Sequence, residues 1–122
     1  MMKSLGTVCE GMLTPTLTVE PADDGLRFVL TVRNDGDEPV ELSFRTGQRA
    51  DFAVTSNGRE LWRYSDGRMF TQALGSETIE PGDHRSYEAV WADPDPGEYT
   101  VTGELTADSH DIETAIEVVT SR

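Results

Sequence analysis

The sequence contains one cysteine, one lysine and two histidines among 122 residues, and each shortage excludes a class of structure or site. Cys9 alone cannot form an internal disulfide, so packing and hydrogen bonds must hold the fold together. No apolar run approaches the ~20 residues that a membrane-spanning helix needs. The segment from Met1 to Leu13 also lacks the unbroken apolar stretch of a signal peptide. We therefore expect a cytoplasmic protein that binds no membrane.

Acidic residues outnumber basic ones by 23 to 10, which gives a formal net charge of −13. Nucleic-acid binding needs clustered Lys and Arg, and because no such cluster occurs we expect no nucleic-acid partner. The acids are spread along a chain that is 36% hydrophobic, which excludes a disordered acidic tail. Scattered acids with one lysine are typical of a halophilic protein, whose self-repulsion is screened by a salt-rich cytoplasm. The alternative is an ordinary acidic domain.

The motifs that would indicate an enzyme are absent. The sequence has no Gly-x-Ser-x-Gly, no His-Glu-x-x-His, no glycine-rich phosphate loop and no paired cysteines. Two acidic loops, at residues 93–97 and 108–111, lack the spacing of a calcium loop, and Asp there is first a turn residue. We therefore predict that the protein is not an enzyme, with no catalytic residues, no cofactor, no metal site and no small-molecule substrate.

Hydrophobic residues recur with a period of two. Leu26, Phe28 and Leu30, for example, alternate with neighbours that are mostly polar, which predicts a half-buried strand. Turn signals such as Asn57-Gly58 separate the alternating segments, and this pair predicts a tight type I′ hairpin. We count seven or eight strands, at about residues 13–20, 26–34, 40–45, 51–56, 60–65, 84–91, 97–106 and 112–119.

Strands of this length without crossover helices pair antiparallel, so the expected fold is an all-β sandwich. Residues 13–122 are predicted to form this single domain, and residues 1–12 a flexible N-terminal arm. Only the segment from Met69 to Leu74 could hold a turn of helix.

The segment from Phe44 to Trp91 concentrates aromatic residues together with Gln and Asp. Its ordered motif consists of Gly47, Gln48, Asp51, Phe52, Trp62, Ser65, Phe70, Gln72, Pro81, Gly82 and Trp91. This set, closed by Pro96-Gly97-Glu98-Tyr99, resembles the intracellular proteinase inhibitor (BsuPI-like) family over about residues 16–106. The resemblance implies an immunoglobulin-like antiparallel β-sandwich. It also implies that the protein binds and inhibits an intracellular subtilisin-like serine protease.

The motif residues also have a purely structural interpretation, which we favour. The aromatic side chains that alternate along strands are expected to form core: Phe44, Phe52, Trp62, Tyr64 and Trp91. Gln48 and Asp51 are expected to bond backbone groups of the connection in which they lie. Ser65 and Gln72 are expected to do the same around the following loop.

A protease inhibitor presents an exposed loop that is already ordered. The segment Ser65-Asp66-Gly67-Arg68-Met69-Phe70 is the best candidate for protein binding, and Met69 could fill an apolar specificity pocket. The alternative is that Met69 and Phe70 tuck under the sandwich. The alternative function is an immunoglobulin-like interaction or structural module, without inhibitory activity, that binds through a sheet edge.

Overall fold

A computed structural model describes residues 12–23, 25–66, 69–70, 72–107 and 112–120, together with the backbone of residues 2–8. Within these residues the chain forms ten β-strands and no helix, so no helix there is long and apolar enough to cross a membrane. The strands are β1 Met2–Val8, β2 Leu13–Ala22, β3 Gly25–Asn34, β4 Val40–Phe44, β5 Ala50–Ser56, β6 Arg59–Arg63, β7 Gly75–Ile79, β8 His84–Ala92, β9 Gly97–Leu105 and β10 Ile112–Thr120.

The strands form one five-stranded sheet that faces two smaller sheets. The large sheet has the order β1-β10-β9-β5-β6, and the smaller sheets have the orders β2-β3-β8 and β4-β7. Every strand pair is antiparallel. The predicted all-β antiparallel sandwich is confirmed, and all eight predicted strands are present. Its immunoglobulin-like subtype stays a prediction.

One hydrophobic core joins the sheets, because alternate residues of each strand point inward. Phe28 and Leu30 of β3 are fully buried, as are Val54 of β5 and Val101 of β9. These residues occupy the apolar positions of the period-two pattern, and burying each such side chain contributes about 1.5–3 kcal/mol. The alternation in the sequence therefore predicts which face of each strand is buried.

Two strands were not predicted. The sequence predicted a flexible arm over residues 1–12, and the structure corrects this over Met2–Val8, where β1 pairs with β10. β7, Gly75–Ile79, consists mostly of small or polar residues but pairs with β4. Each of these strands forms hydrogen bonds with the backbone of a neighbouring strand that would otherwise be unpaired on that side. Such pairing does not require a strong hydrophobic pattern in the added strand. The limits of the single domain, residues 13–122, stay a prediction.

The turns follow the sequence signals. Asn57 and Gly58 join β5 to β6 with φ of 53° and 79°, so the predicted hairpin with positive φ at both positions is confirmed. Near the start of β9, the Tyr99 hydroxyl donates to the backbone oxygen of Asp95, four residues upstream. This bond has the form of the tyrosine corner that is typical of Greek-key sandwiches.

Candidate functional site

The buried carboxylate of Asp51 is the centre of the motif. Its Oδ1 accepts hydrogen bonds from the backbone N–H groups of Phe52 at 2.9 Å and of Ser65 at 3.1 Å. Its Oδ2 accepts one from the Ser65 hydroxyl and one from Nη1 of Arg63, both at 2.9 Å. Asp51 lies in β5, while Ser65 follows β6. The carboxylate therefore fixes the first residues of the β6–β7 connection to the large sheet.

Arg63 joins Asp51 to two further carboxylates. Its Nε and Nη2 donate to Oε1 of Glu60 at 3.1 and 2.9 Å, and its Nη1 lies 3.7 Å from Oε1 of Glu104. The hydrogen bonds to Glu60 and Asp51 raise the pKa of the Arg63 guanidinium above its already high value, so the group stays charged. This role of Arg63 was not predicted, because the only local sign of it in the sequence is an ordinary i,i+3 pair with Glu60.

Gln48 closes the β4–β5 connection. Its side-chain Nε2 donates to the backbone oxygen of Ala50 at 3.1 Å, and its backbone N–H donates to Oγ1 of Thr46 at 3.1 Å. Its backbone oxygen accepts a hydrogen bond from the Thr106 hydroxyl at 2.8 Å. Gln48 is half-buried, whereas Gly47 is exposed. These bonds agree with the bracing interpretation, although the side chain itself makes only one of the three.

A second polar cluster, which the sequence analysis also missed, surrounds Arg49. Its Nε donates to Glu77 of β7 at 2.8 Å, and its guanidinium lies 4.4 Å from the centre of the Phe44 ring. The Tyr87 hydroxyl of β8 donates to the other oxygen of Glu77 at 2.9 Å. Burial, and then the bond to Glu77, raises the pKa of Tyr87. The cluster connects three strands of the smaller sheets.

The Pro81-Gly82 turn is held by Asn34, which is fully buried. The Asn34 side-chain amide donates to the backbone oxygen of Ile79 at 2.9 Å, and the backbone oxygen of Asn34 accepts from the N–H of Gly82 at 2.8 Å. Pro81 and Gly82 themselves are exposed, and Gly82 has a positive φ of 80°. In the sequence Asn34 is only the last residue of a predicted strand, but in the structure its buried side chain supports this turn.

The aromatic motif residues differ in burial. Phe44 and Phe52 are buried in the core, as expected. Trp62, Tyr64 and Trp91 are only half-buried and pack against the border of the core, which corrects the expectation of full core positions. The ring contacts are edge-on for three pairs: Trp62 with Phe28 at 5.9 Å, Tyr64 with Phe52 at 6.2 Å, and Trp91 with Tyr99 at 5.0 Å.

The candidate contact loop is described at four of its six residues, since Gly67 and Arg68 lie outside the described residues. The Met69 side chain is 98% exposed, so it does not tuck under the sandwich. Phe70 is half-buried, with its ring centre 6.4 Å from that of Tyr64. Asp66 and Gln72 are exposed. The residues described between Met69 and Leu74, the one segment that could have held a helical turn, form no helix.

Metal ligands do not cluster within the part of the chain that the structure describes. There, no group of three or more His, Cys, Asp or Glu side chains is arranged to hold a metal ion. The acidic loop at residues 108–111 lies outside the described residues.

Comparison with known protein families gives a match over most of the chain. The family described as intracellular proteinase inhibitor (BsuPI) matches residues 13–110. No curated protein matches the chain significantly. The matched range covers most of the chain and contains every motif residue from Gly47 to Trp91, including Asp51 and its partner Ser65. The family's description names a proteinase as the class of partner. The chain therefore belongs to the intracellular proteinase inhibitor family.

Proposed function

We propose that the protein inhibits a subtilisin-like serine protease in the cytoplasm and catalyses no reaction itself. Membership of the intracellular proteinase inhibitor family supports an intracellular proteinase as the partner. The protease contact is the segment Ser65 to Phe70, with Met69 as its central side chain. This assignment is supported by the described residues of the β6–β7 connection, among them Ser65, Met69 and Phe70.

The observation that carries the proposal is an exposed apolar side chain between anchored neighbours. Ser65 is fixed by two hydrogen bonds to the buried Asp51, and the Phe70 ring packs against Tyr64. Between them, the Met69 side chain is 98% exposed. A tight inhibitor has to meet the ordering cost of its contact segment before it binds. Anchors on both sides of Met69 reduce that cost without a disulfide.

The chemistry of Met69 suits an apolar specificity pocket. Its side chain is unbranched and flexible, so it adapts to the shape of a hydrophobic cavity. Burying a methionine side chain contributes about 1.5–3 kcal/mol, which is enough to make one residue dominate a contact. The formal charge of −13 also restricts which proteases can bind, because a protease with an acidic surface would repel the protein.

The test is a titration of the purified protein into a fixed concentration of subtilisin. A stoichiometric inhibitor gives a linear loss of peptidase activity up to equivalence. We expect Met69→Asp to raise the inhibition constant at least about tenfold, since it would place a charge in an apolar pocket. Met12→Asp is the matched control, because Met12 is also exposed but lies in the turn just before β2. That control should inhibit like the wild type.

Two outcomes would contradict the proposal. If the wild type leaves subtilisin active and is cleaved like an ordinary substrate, the alternative of an interaction or structural module without inhibitory activity is favoured. If the wild type inhibits and Met69→Asp inhibits equally well, the protease contact lies elsewhere on the protein. Circular dichroism spectra of both variants would verify that they are folded.

A further inference from the structure

Met69 has an exposed thioether, which is a chemically reactive group. Of the methionines whose side chains the structure describes, Met69 is 98% exposed and Met12 is 61% exposed. Peroxides convert exposed methionine to methionine sulfoxide, which is polar, and reductases can reverse this change. The reaction therefore replaces an apolar group by a polar one at the centre of the proposed protease contact.

We infer that Met69 is a peroxide-sensitive modification site whose oxidation switches off protease inhibition. The inference rests on the proposed function of this segment. In the reaction the thioether sulfur attacks a hydroperoxide oxygen, the O–O bond breaks and an S–O bond forms. The sulfur is oxidised, and the peroxide is reduced to water or to an alcohol. The protein supplies only the accessible thioether.

Oxidation of Met69 should weaken protease binding without unfolding the protein. Because Met69 is 98% exposed, almost no packing of the fold depends on its side chain. In a complex, however, the sulfoxide oxygen would enter an apolar pocket, where a polar group without a hydrogen-bond partner is strongly disfavoured. We expect the inhibition constant to rise at least about tenfold. The anchors at Ser65 and Phe70 involve no sulfur and should remain intact.

The experiment treats the purified protein with dilute hydrogen peroxide, removes the peroxide with catalase, and then titrates subtilisin. Peptide mass spectrometry gives the oxidation of each methionine. We expect oxidation of Met69 to parallel the loss of inhibition, and both methionine sulfoxide reductases together to restore it. Met12→Leu should lose inhibition on oxidation as the wild type does. Met69→Leu has no thioether at this position, so peroxide should not weaken its inhibition of subtilisin, whatever its inhibition constant before treatment.

A second measurement uses the complex. Bound protease should cover Met69, so peroxide should oxidise Met69 several-fold more slowly in the complex than in the free protein. The rate at Met12 should not change. The inference is overturned if Met69 is fully oxidised while inhibition is unchanged, or if Met69→Leu loses as much inhibition as the wild type. Failure of the untreated wild type to inhibit would overturn the proposed function and the switch together, before any peroxide is added.

Discussion

Ser65 is joined to Asp51 by two hydrogen bonds, from its backbone N–H at 3.1 Å and from its hydroxyl at 2.9 Å. The two residues are 14 positions apart, and the bonds connect the backbone just after β6 to a buried side chain of β5. Nη1 of Arg63 also donates to this carboxylate, at 2.9 Å from Oδ2 of Asp51. Asp51 therefore stabilises the first residue of the segment Ser65 to Phe70, in which Met69 is exposed.

Replacing Asp51 should destabilise the fold substantially. Asp51→Ala would leave the N–H groups of Phe52 and Ser65 without their acceptor and would remove one partner of Arg63. We expect a loss of about 2–4 kcal/mol in the free energy of unfolding, measured in urea. Ser65→Ala, which removes one hydroxyl, should cost only about 1 kcal/mol. A stability of Asp51→Ala within ~0.5 kcal/mol of the wild type would contradict this prediction.

Replacing Gln48 should have a smaller effect. Its side chain donates one half-buried hydrogen bond, to the backbone oxygen of Ala50 at 3.1 Å. Gln48→Ala should therefore lower the free energy of unfolding by about 1 kcal/mol. Gln72→Ala is the matched control, because this motif glutamine is exposed and should change stability by less than ~0.5 kcal/mol. Equal losses in both variants would show that Gln48 has no special bracing role.

Trp62 and Leu61 are neighbours in β6 that point to opposite faces. Trp62 packs edge-on against the fully buried Phe28 at 5.9 Å, whereas Leu61 is 49% exposed. Trp62→Ala should lower the free energy of unfolding by about 3 kcal/mol, the low end for removing a large aromatic side chain, because Trp62 is only half-buried. Leu61→Ala should cost less than about 1 kcal/mol. A melting temperature unaffected by Trp62→Ala would identify Trp62 as a surface contact.

The sequence predicts those parts of the fold that local pattern determines. Strands such as β3 and β9 alternate apolar and polar residues, and Asn57-Gly58 specifies its own turn. β1 and β7 form because each can pair with the unpaired edge of a neighbouring strand. The local hydrophobic pattern of a sequence does not show where such an edge will lie. The half-buried positions of Trp62 and Trp91 follow from where each strand lies in its sheet. A hydrophobic period of two predicts on which face of the sheet a side chain lies. It does not predict how far that side chain lies from the edge of the core.

The candidate site, like the fold, could be predicted from the sequence only in part. Gln48 and Asp51 could be predicted as bracing residues, because polar side chains between two strands commonly bond the backbone. Their partners could not be predicted in the same way. Arg49 pairs with Glu77, 28 positions away, and the buried Asn34 supports a turn that begins more than 40 positions later. Only the arrangement of strands brings these groups together.

Tyr87 should make stability fall at alkaline pH. Burial and the bond to Glu77 raise the pKa of its phenol above the ordinary value of about 10. Above pH ~10 the unfolded chain therefore loses a proton that the folded chain keeps, so raising the pH favours unfolding. Tyr87→Phe should be less stable at neutral pH but should show a shallower decline in unfolding free energy above pH 10. Parallel curves for the two proteins would contradict this prediction.

Salt should stabilise the folded protein. Twenty-three acidic residues against ten basic ones place like charges close together in the fold, and the unfolded chain separates them. The Debye length falls from above 10 Å at about 0.05 M NaCl to about 3 Å at about 1 M. Salt also screens exposed pairs such as Arg27–Glu20, but each contributes less than about 1 kcal/mol. We therefore expect the melting temperature to rise over this range.

The salt prediction needs a control, because some cosolutes stabilise proteins by strengthening hydrophobic burial and not by screening charge. A neutral osmolyte such as sucrose, at the same molar concentration as NaCl, changes burial without screening charge. If charge repulsion is the cause, NaCl should raise the melting temperature more than sucrose does, and most of the rise should occur below about 0.5 M, where the Debye length shortens fastest. A melting temperature independent of NaCl, or an equal rise in sucrose, would identify an ordinary acidic domain instead of a halophilic one.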